Sequence, residues 1–429
     1  MTVLTGVFIL IGLMLLGIPI GYALGIASVL GLAMVVPMTV IEGQMTQVVH
    51  HVTANFVILT IPMFVLMAEF LSAGHIAEDM MIACNRVMRR IRGGLAMATV
   101  FAGTILAAAS GSSTASVASI TRASYPTMRS LGYDPGFAIG SIAISGTLAI
   151  MIPPSIAFII YGLMTDVSIG KLFMAGLIPG LMTAGGYIIA IALQAWLRPE
   201  IAPTNNAAPA PDEPRQTGQV WPMAVLVLIV LICLYSGIAT PTEIGAIGAL
   251  GALLLSLVMR RMTRGSFVVA VGNTLRTSAM IVTIIFGATL FGFFIAYTQV
   301  TNTLLDWISA EGFAPFTVLM LVVLTYLVLG MIMDQFAIIV LTAPVAYQLL
   351  TGLGYDGIWF GVIVVKAAEI GLVSPPMGLN VFIASSASGV DTRTAFRGTL
   401  PFVGVELILL ALLIAFPQLS LWLPELLSR

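Results

Sequence analysis

Charge is what this sequence has least of. Asp, Glu, Lys and Arg make up 8% of its 429 residues, about a third of the share that coats a soluble domain, so a soluble enzyme is excluded. Seventeen basic and eighteen acidic residues leave a net charge of −1, which argues against nucleic-acid binding by bulk electrostatics. Two cysteines, Cys84 and Cys233, are too few for a metal cage or a disulfide framework and read as small buried hydrophobes. His50, His51 and His75 have no metal-ligand spacing. There is no GxxxxGK(S/T) loop, so ATP is not the direct energy source. HExxH, CxxC and GxSxG are also missing, which removes the metalloprotease, metal-centre and hydrolase readings. An ion gradient remains as the driver. No Lys or Arg precedes Arg86, so the basic start of a signal peptide is lacking and the first apolar stretch is expected to be a retained helix.

What is there is apolar. Hydrophobic residues reach 59% and mean hydropathy is +1.09, with 42 glycines and 24 methionines, the composition of a polytopic helical membrane protein. A spanning helix takes about 20 residues, so the chain supplies roughly ten to twelve membrane segments. Apolar stretches cover 2–36, 55–73, 95–120, 137–163 and 172–197, then 220–258, 278–297, 315–350, 358–384 and 402–423. Between the two sets, RPEIAPTNNAAPAPDEPRQTGQ at 198–219 is rich in Pro, Ala and Asn and reads as an extended linker.

The two sides superimpose without a gap when 222 is added to the residue number. Pro19 falls on Pro241, LGYD at 131–134 on LGYD at 353–356, Pro153-Pro154 on Pro375-Pro376, and Pro179 on Pro401. This register points to an internal duplication. Paired repeats with interruptions at corresponding positions are a signature of secondary transporters.

The interruptions carry the chemistry. AAASGSSTASVAS at 107–119 combines Gly111 with Ser110, Ser112, Ser113, Thr114 and Ser116, which weakens helix and places hydroxyls at membrane depth. Its mate is GMIMDQF at 330–336, with Asp334 in register with Ser112. The two Pro-Pro pairs also break the hydrogen-bond ladder. Freed carbonyls in hydrocarbon persist only where they line a cavity or find a partner. Small residues also serve tight helix crossings, but four matched breaks favour an ion or substrate pathway. Bare carbonyls with Ser and Thr hydroxyls form the oxygen set that a hard cation such as Na⁺ needs.

The second stretch of each half, with Pro62 in one and Gly287 in the other, reads either as a kinked spanning helix or as a hairpin returning to one face. Glu69, Glu243, Asp334, Lys366, Glu369 and Glu406 are the charges within or beside apolar stretches. Lys366 and Glu369 share one helical face, a structural pair or a substrate contact. Asp334, beside a Gly/Met break with no nearby base, is the better cation ligand. RVMRRIRGG at 86–94 and RRMTR at 260–264 both read as cytoplasmic by the positive-inside rule. Strictly inverted repeats place these two loops on opposite faces, so sidedness stays open.

IPMFVLMAEFLSAGHIAEDM, SGSSTASVASI, PTMRSLGYDPGFA, IPPSIAFIIYG, SIGKLFMAGLIPG and GLVSPPMGLNVFIAS, in this order over nearly the whole chain, resemble the large membrane subunit of tripartite ATP-independent periplasmic (TRAP) transporters. The resemblance implies an all-α polytopic membrane protein with two inverted structural repeats, re-entrant hairpins and broken helices, an elevator-type ion-transporter fold. The first repeat, 1–197, then holds scaffold helices 1–36, a hairpin at 55–73, broken helices 95–125 and 137–163, and helix 172–197. After the 198–219 linker the second repeat, 220–423, holds scaffold helices 220–258, a hairpin at 279–297, broken helices 315–350 and 357–385, and helix 402–423.

The resemblance further implies a multi-pass protein of the bacterial inner membrane that takes up an organic acid, such as a C4-dicarboxylate or sialic acid, with Na⁺ as coupling ion. Its expected partners are a separate small four-helix membrane subunit and a periplasmic substrate-binding protein. One sodium site is expected among Asn55, Pro62, Ser110, Gly111, Ser112, Ser113, Ile152, Pro153 and Ser155. The other is expected among Gly287, Thr289, Asp334, Ser374, Pro375, Met377 and Gly378. Thr114, Glu369 and Asn380 are candidates for the substrate pathway. The rival readings are a stand-alone Na⁺/dicarboxylate symporter or ion antiporter of related fold, and an uncoupled channel or scaffold. An intramembrane enzyme is disfavoured because no nucleophile–base pair is evident.

Overall fold

The computed structural model describes residues 2–88, 90–203 and 221–427, and every regular element among them is a helix. Most of the 198–219 linker lies outside the described residues. The first half runs α1 (Thr2–Leu15), α2 (Ile20–Ala33), α3 (Met38–Ala54), α4 (Thr60–Ala73) and α5 (Ile76–Met88). It continues with α6 (Gly94–Ser110), α7 (Ser113–Ser130), α8 (Pro135–Met151), α9 (Ile156–Thr165) and α10 (Ile169–Leu197). The second half runs α11 (Trp221–Ser236), α12 (Pro241–Val258), α13 (Arg264–Tyr297), α14 (Val300–Glu311) and α15 (Pro315–Gly330). It ends with α16 (Gln335–Gly352), α17 (Gly357–Gly371), α18 (Leu379–Ser388), α19 (Thr392–Ala415) and α20 (Gln418–Leu427). Among the described residues six helices are long and apolar enough to cross a membrane, and seven if α8 with α9, bent by 40° at their break, is counted as one span. The chain is an all-α polytopic membrane protein.

The offset of 222 recurs in the helix starts: α7 and α8 begin at Ser113 and Pro135, α16 and α17 at Gln335 and Gly357. The LGYD motif shows why. Gly132 and Gly354 take left-handed backbone, φ +79° and +91°, which ends α7 and α16 as only glycine does readily. Asp134 and Asp356 then cap the next helix, accepting from Phe137 N at 2.8 Å and Ile358 N at 2.8 Å. Such a cap contributes about 1 kcal/mol.

Helices from both halves form two packed groups. In one, α2 crosses α13, α4 packs on α12 and α13, and α1 and α11 flank α2 and α12. With lipid outside, such contacts depend on close approach of small residues rather than on hydrophobic burial. A Cβ on Gly21 of α2 would lie 2.9 Å from the backbone of Thr283. In the other group, α8 is enclosed by α6, α7, α10, α18 and α19, and its residues 136–151 are all buried. An all-round apolar helix belongs in such an interior.

The hairpins differ from expectation. The 279–297 stretch is the second half of α13, a continuous helix of 34 residues, and 56–73 is an unbroken span of 18 residues. Pro62 is the third residue of α4, in the first turn, where a missing N–H costs nothing. Gly287 is a crossing glycine, facing the Gly21 backbone. The returning pairs are instead α6–α7 and α15–α16, expected as broken spans at 95–125 and 315–350. Leu95 N at the start of α6 donates to the hydroxyl of Tyr133, just past the end of α7, at 3.3 Å. Gly352, ending α16, faces Leu305 of α14, the helix that leads into α15.

The two hairpins enter from opposite ends of the molecule. At one end, Asp134 N donates to Ile201 O (3.0 Å), just after the end of α10, and Gly136 faces Thr394 at the start of α19. At the other, reached along the 29 residues of α10, about 43 Å at 1.5 Å per residue, the Tyr161 hydroxyl donates to Gly357 O (2.8 Å). Arg261 pairs with Asp79 at 2.6 Å and donates to Gly74 O, which puts the 260–264 loop beside α5. The duplication matches 86–94 with 308–316, not with 260–264, so both basic loops lie on the α6–α7 face. Arg122, Arg129, Arg198 and Arg393 join them there, while Asp166, Asp306, Glu311 and Asp356 occupy the far end.

Candidate functional site

Both hairpin tips meet a broken helix. At the first, Gly111 has φ +57°, so α6 stops and the chain reverses. A Cβ there would come within 3.2 Å of Pro154 O and of the Ile156 side chain, so tip and break touch almost backbone to backbone. Ser112 occupies the N-cap of α7, yet its hydroxyl makes no cap bond; it meets the Thr114 hydroxyl at 3.2 Å. The Ser113 hydroxyl is buried without a partner. Ser155 caps α9 through Phe158 N at 3.4 Å. Among the described residues no backbone hydrogen bond reaches the carbonyls of Ile152, Pro153 or Pro154. Ser110 ends α6, but its side chain lies outside the described residues.

The second tip repeats the plan with other residues. Met377 N, in the break after α17, donates to Met331 O at 3.2 Å. Asp334 caps α16, accepting from Phe336 N at 3.0 Å, so its charge rests on a helix N-terminus, where the dipole favours an anion. Ser374 returns its hydroxyl to Ile370 O at 2.7 Å. Pro375 and Met377 are exposed, and Gly378 has φ +43°. Both Pro-Pro peptide bonds, 153–154 and 375–376, are cis. Two side chains here have unmet hydrogen-bonding capacity: Gln335 through its amide oxygen and Asn380 through both amide atoms, all buried. Gln335 stands in register with Ser113, so the same position of each repeat carries an unpartnered buried polar atom. Adding the repeat offset to Ser113 finds Gln335 in the sequence alone.

Four expected residues make their contacts elsewhere. Asn55 caps the short 3₁₀ turn Phe56–Leu59 through Val57 N at 2.9 Å. Pro62 lies in α4, which packs on α12 and α13. Gly287 meets α2, and the Thr289 hydroxyl bonds Ile285 O within α13 at 2.9 Å.

Glu369 belongs to a wholly buried charged cluster. Lys366 reaches Glu406 Oε2 at 2.6 Å, Glu369 Oε2 at 3.1 Å and the Thr183 hydroxyl at 2.8 Å. The Tyr187 hydroxyl donates to Glu406 and lies 3.1 Å from the Thr147 hydroxyl. Residues of α8, α10, α17 and α19 are thereby tied together, with Thr147 and Glu369 in register in the two repeats. An intramembrane lysine needs such partners. Glu406 was visible in the sequence as a charge in an apolar stretch, whereas Tyr187 and Thr183 gave no signal.

The arrangement has a clear electrostatic sense. α6, α8, α15 and α17 end at the tips and breaks, and α7, α9, α16 and α18 begin there. C-terminal ends with bare carbonyls attract a cation, and N-terminal ends attract an anion. Among the described residues no group of three or more His, Cys, Asp and Glu forms a metal cage. The donors at the tips are hydroxyl and carbonyl oxygens, which suit a hard cation.

Comparison with known proteins gives consistent matches. The family model described as the tripartite ATP-independent periplasmic transporter, DctM component, matches residues 7–419. The C4-dicarboxylate TRAP transporter large permease protein DctM of Pseudomonas aeruginosa is 32% identical over 372 residues, 86% of this chain and 87% of that protein. The sialic acid TRAP transporter large permease protein SiaM of Vibrio cholerae is 29% identical over 97% of each chain. Among solved structures, the YdaH transporter of Alcanivorax borkumensis aligns with a TM-score of 0.67 at 16% identity, covering 98% of this chain and 99% of that one, a likeness of fold.

Proposed function

The chain belongs to the DctM component family of tripartite ATP-independent periplasmic transporters, and from that membership we propose that it is the membrane-translocating subunit of a Na⁺-coupled uptake system for an organic acid. The observation that carries this reading is the meeting of eight helix ends at two tips and two breaks. Cation and carboxylate then bind side by side, the first among carbonyl and hydroxyl oxygens, the second at helix N-termini.

In this reading Ser112, Ser113, Ser155 and the carbonyls of 152–154 hold one Na⁺, and Asp334, Ser374 and the carbonyls of 373–377 hold another. The Ser113 hydroxyl and the Asn380 Nδ2 group, buried donors without partners at the tips, complete their hydrogen bonds with the substrate carboxylate, while the unpartnered amide oxygens of Gln335 and Asn380 accept from a hydroxyl or amide donor of the substrate. Cations compensate the carboxylate, so a fully loaded site crosses the apolar barrier at less cost than a half-loaded one. The group around α8 moves as an elevator against the group around α13. A separate small membrane subunit braces the latter, and a periplasmic binding protein delivers the substrate. The arginine-rich end faces the cytoplasm of a bacterial inner membrane.

The test is reconstitution in liposomes with both partner proteins and an imposed sodium gradient. Uptake of the carboxylate that the binding protein carries should follow the gradient. It should be abolished by Ser112→Ala with Ser113→Ala, although the variant still inserts. Uptake that ignores Na⁺, or that the chain performs alone, overturns this reading.

A further inference from the structure

Between the outer halves of α7 and α18 lies an open cavity of about 650 Å³, lined by Thr121, Arg122, Tyr125, Arg129, Ser130 and Ser388 among others. It is far along both helices from the tips where they begin, at the arginine-rich end. Arg122 and Arg129 are seven residues apart, about two turns, and so project from one side of α7. Both are exposed, and among the described residues neither guanidinium has an ion-pair or side-chain hydrogen-bond partner. The acids that cap α8 and α19 at this end, Asp134 and Asp391, accept from Phe137 N and Thr394 N and form no ion pair with either arginine among the described residues. The hydroxyls of Thr121, Ser130 and Ser388 donate to Val117 O, Thr127 O and Ser385 O. The two guanidinium groups are therefore the strong donors left free.

We propose that this cavity is an anion site separate from the tips, taking a carboxylate or phosphate group between Arg122 and Arg129. A planar, five-donor guanidinium fits both groups in a forked, charge-assisted pair, and the volume is in the range of about 300–1,000 Å³ typical of small-molecule sites. α7 and α18 are also two of the helices whose N-termini frame the proposed substrate position. A carboxylate leaving along them toward the arginine-rich face meets this pair last. An anionic lipid headgroup offers the same chemistry from the bilayer side. Only the identity of the arriving carboxylate rests on the transporter reading; the anion site itself does not.

Arginine modification by phenylglyoxal, read by mass spectrometry at each residue of the purified full-length chain, tests this. The probes are succinate, inorganic phosphate, and vesicles of phosphatidylglycerol or of phosphatidylcholine, with chloride as reference. An anion at about ten times its dissociation constant leaves about a tenth of sites free, so modification of Arg122 and Arg129 slows about tenfold, while Arg264 is unaffected. Protection by succinate or phosphate identifies a soluble anion, and protection by phosphatidylglycerol vesicles alone identifies a headgroup. In Arg129→Gln the protection of Arg122 is lost. Equal rates with every probe overturn the proposal. None of these readouts requires transport, so a failure of Na⁺-driven uptake is told apart from a failure of the anion site.

Discussion

Gly330, the last residue of α15, and Gly371, the last of α17, lie in direct backbone contact: a Cβ on Gly330 would be 2.9 Å from the Cα of Gly371, and one on Gly371 would run into the Gly330 backbone. Neither obstacle is a side chain that can swing aside. This contact seats the second hairpin against its broken helix.

Gly371→Ala is therefore expected to cost about 1–3 kcal/mol, as overpacking does, and to displace the 371–378 break. Thermal unfolding in detergent and Na⁺-driven uptake should both fall. Gly12→Ala, where a Cβ meets nothing within 4 Å, is the control and should leave both unchanged.

Asp334 carries two separable duties, a helix cap and a charge. Asp334→Asn keeps the cap and removes the charge, while Asp334→Ala also loses the cap, at about 0.5–2 kcal/mol. The asparagine variant should match the parent in unfolding temperature but need more Na⁺ for half-maximal uptake. An unchanged sodium requirement would reduce Asp334 to a cap.

Removing Lys366 strands two carboxylates in the interior. Lys366→Met should destabilise by about 3–5 kcal/mol, as expected for one side of a buried pair. Adding Glu406→Gln and Glu369→Gln should recover much of that loss, because the stranded charge disappears with them. Unfolding by heat or denaturant reads both.

Orientation is checked with single cysteines after Cys84 and Cys233 are replaced. Asp356→Cys should react with an impermeant maleimide added to the periplasmic side, and Arg264→Cys should react only after the membrane is opened. The reverse pattern would invert the assignment of faces.

Much of this structure was legible in the sequence because its punctuation is local. Gly111, the Pro-Pro pairs and LGYD end or start helices through their own backbone preferences, and the offset of 222 carries that punctuation into the second half. What hydropathy does not record is direction. α6 and α7, of 17 and 18 residues, are each about as long as a membrane span, so a return looks like a crossing. The polar end of α7, RASYPTMRS, also hid its length. Pro62 and Gly287 looked like tip residues because a proline in a first turn and a glycine at a crossing have the composition of a break without its geometry. The sidedness conflict came from pairing two basic loops that the repeat does not pair. Lys366 with Glu369 was visible as neighbours in sequence; Lys366 with Glu406 and Thr183 needed the tertiary fold.

The duplicated halves are mechanically unequal at one place. Where the second half has α13 as one rod of 34 residues, about 50 Å at 1.5 Å per residue, the first half has a joint at Asn55, whose backbone is extended between α3 and the next turn. A stiff beam from one half thus lies against a jointed arm from the other, since α3 and α4 both pack on α13. The helical hydrogen-bond ladder that runs unbroken through α13 is interrupted in the first half at Asn55, so a hinge between the halves of that segment has its place there and none in its mate.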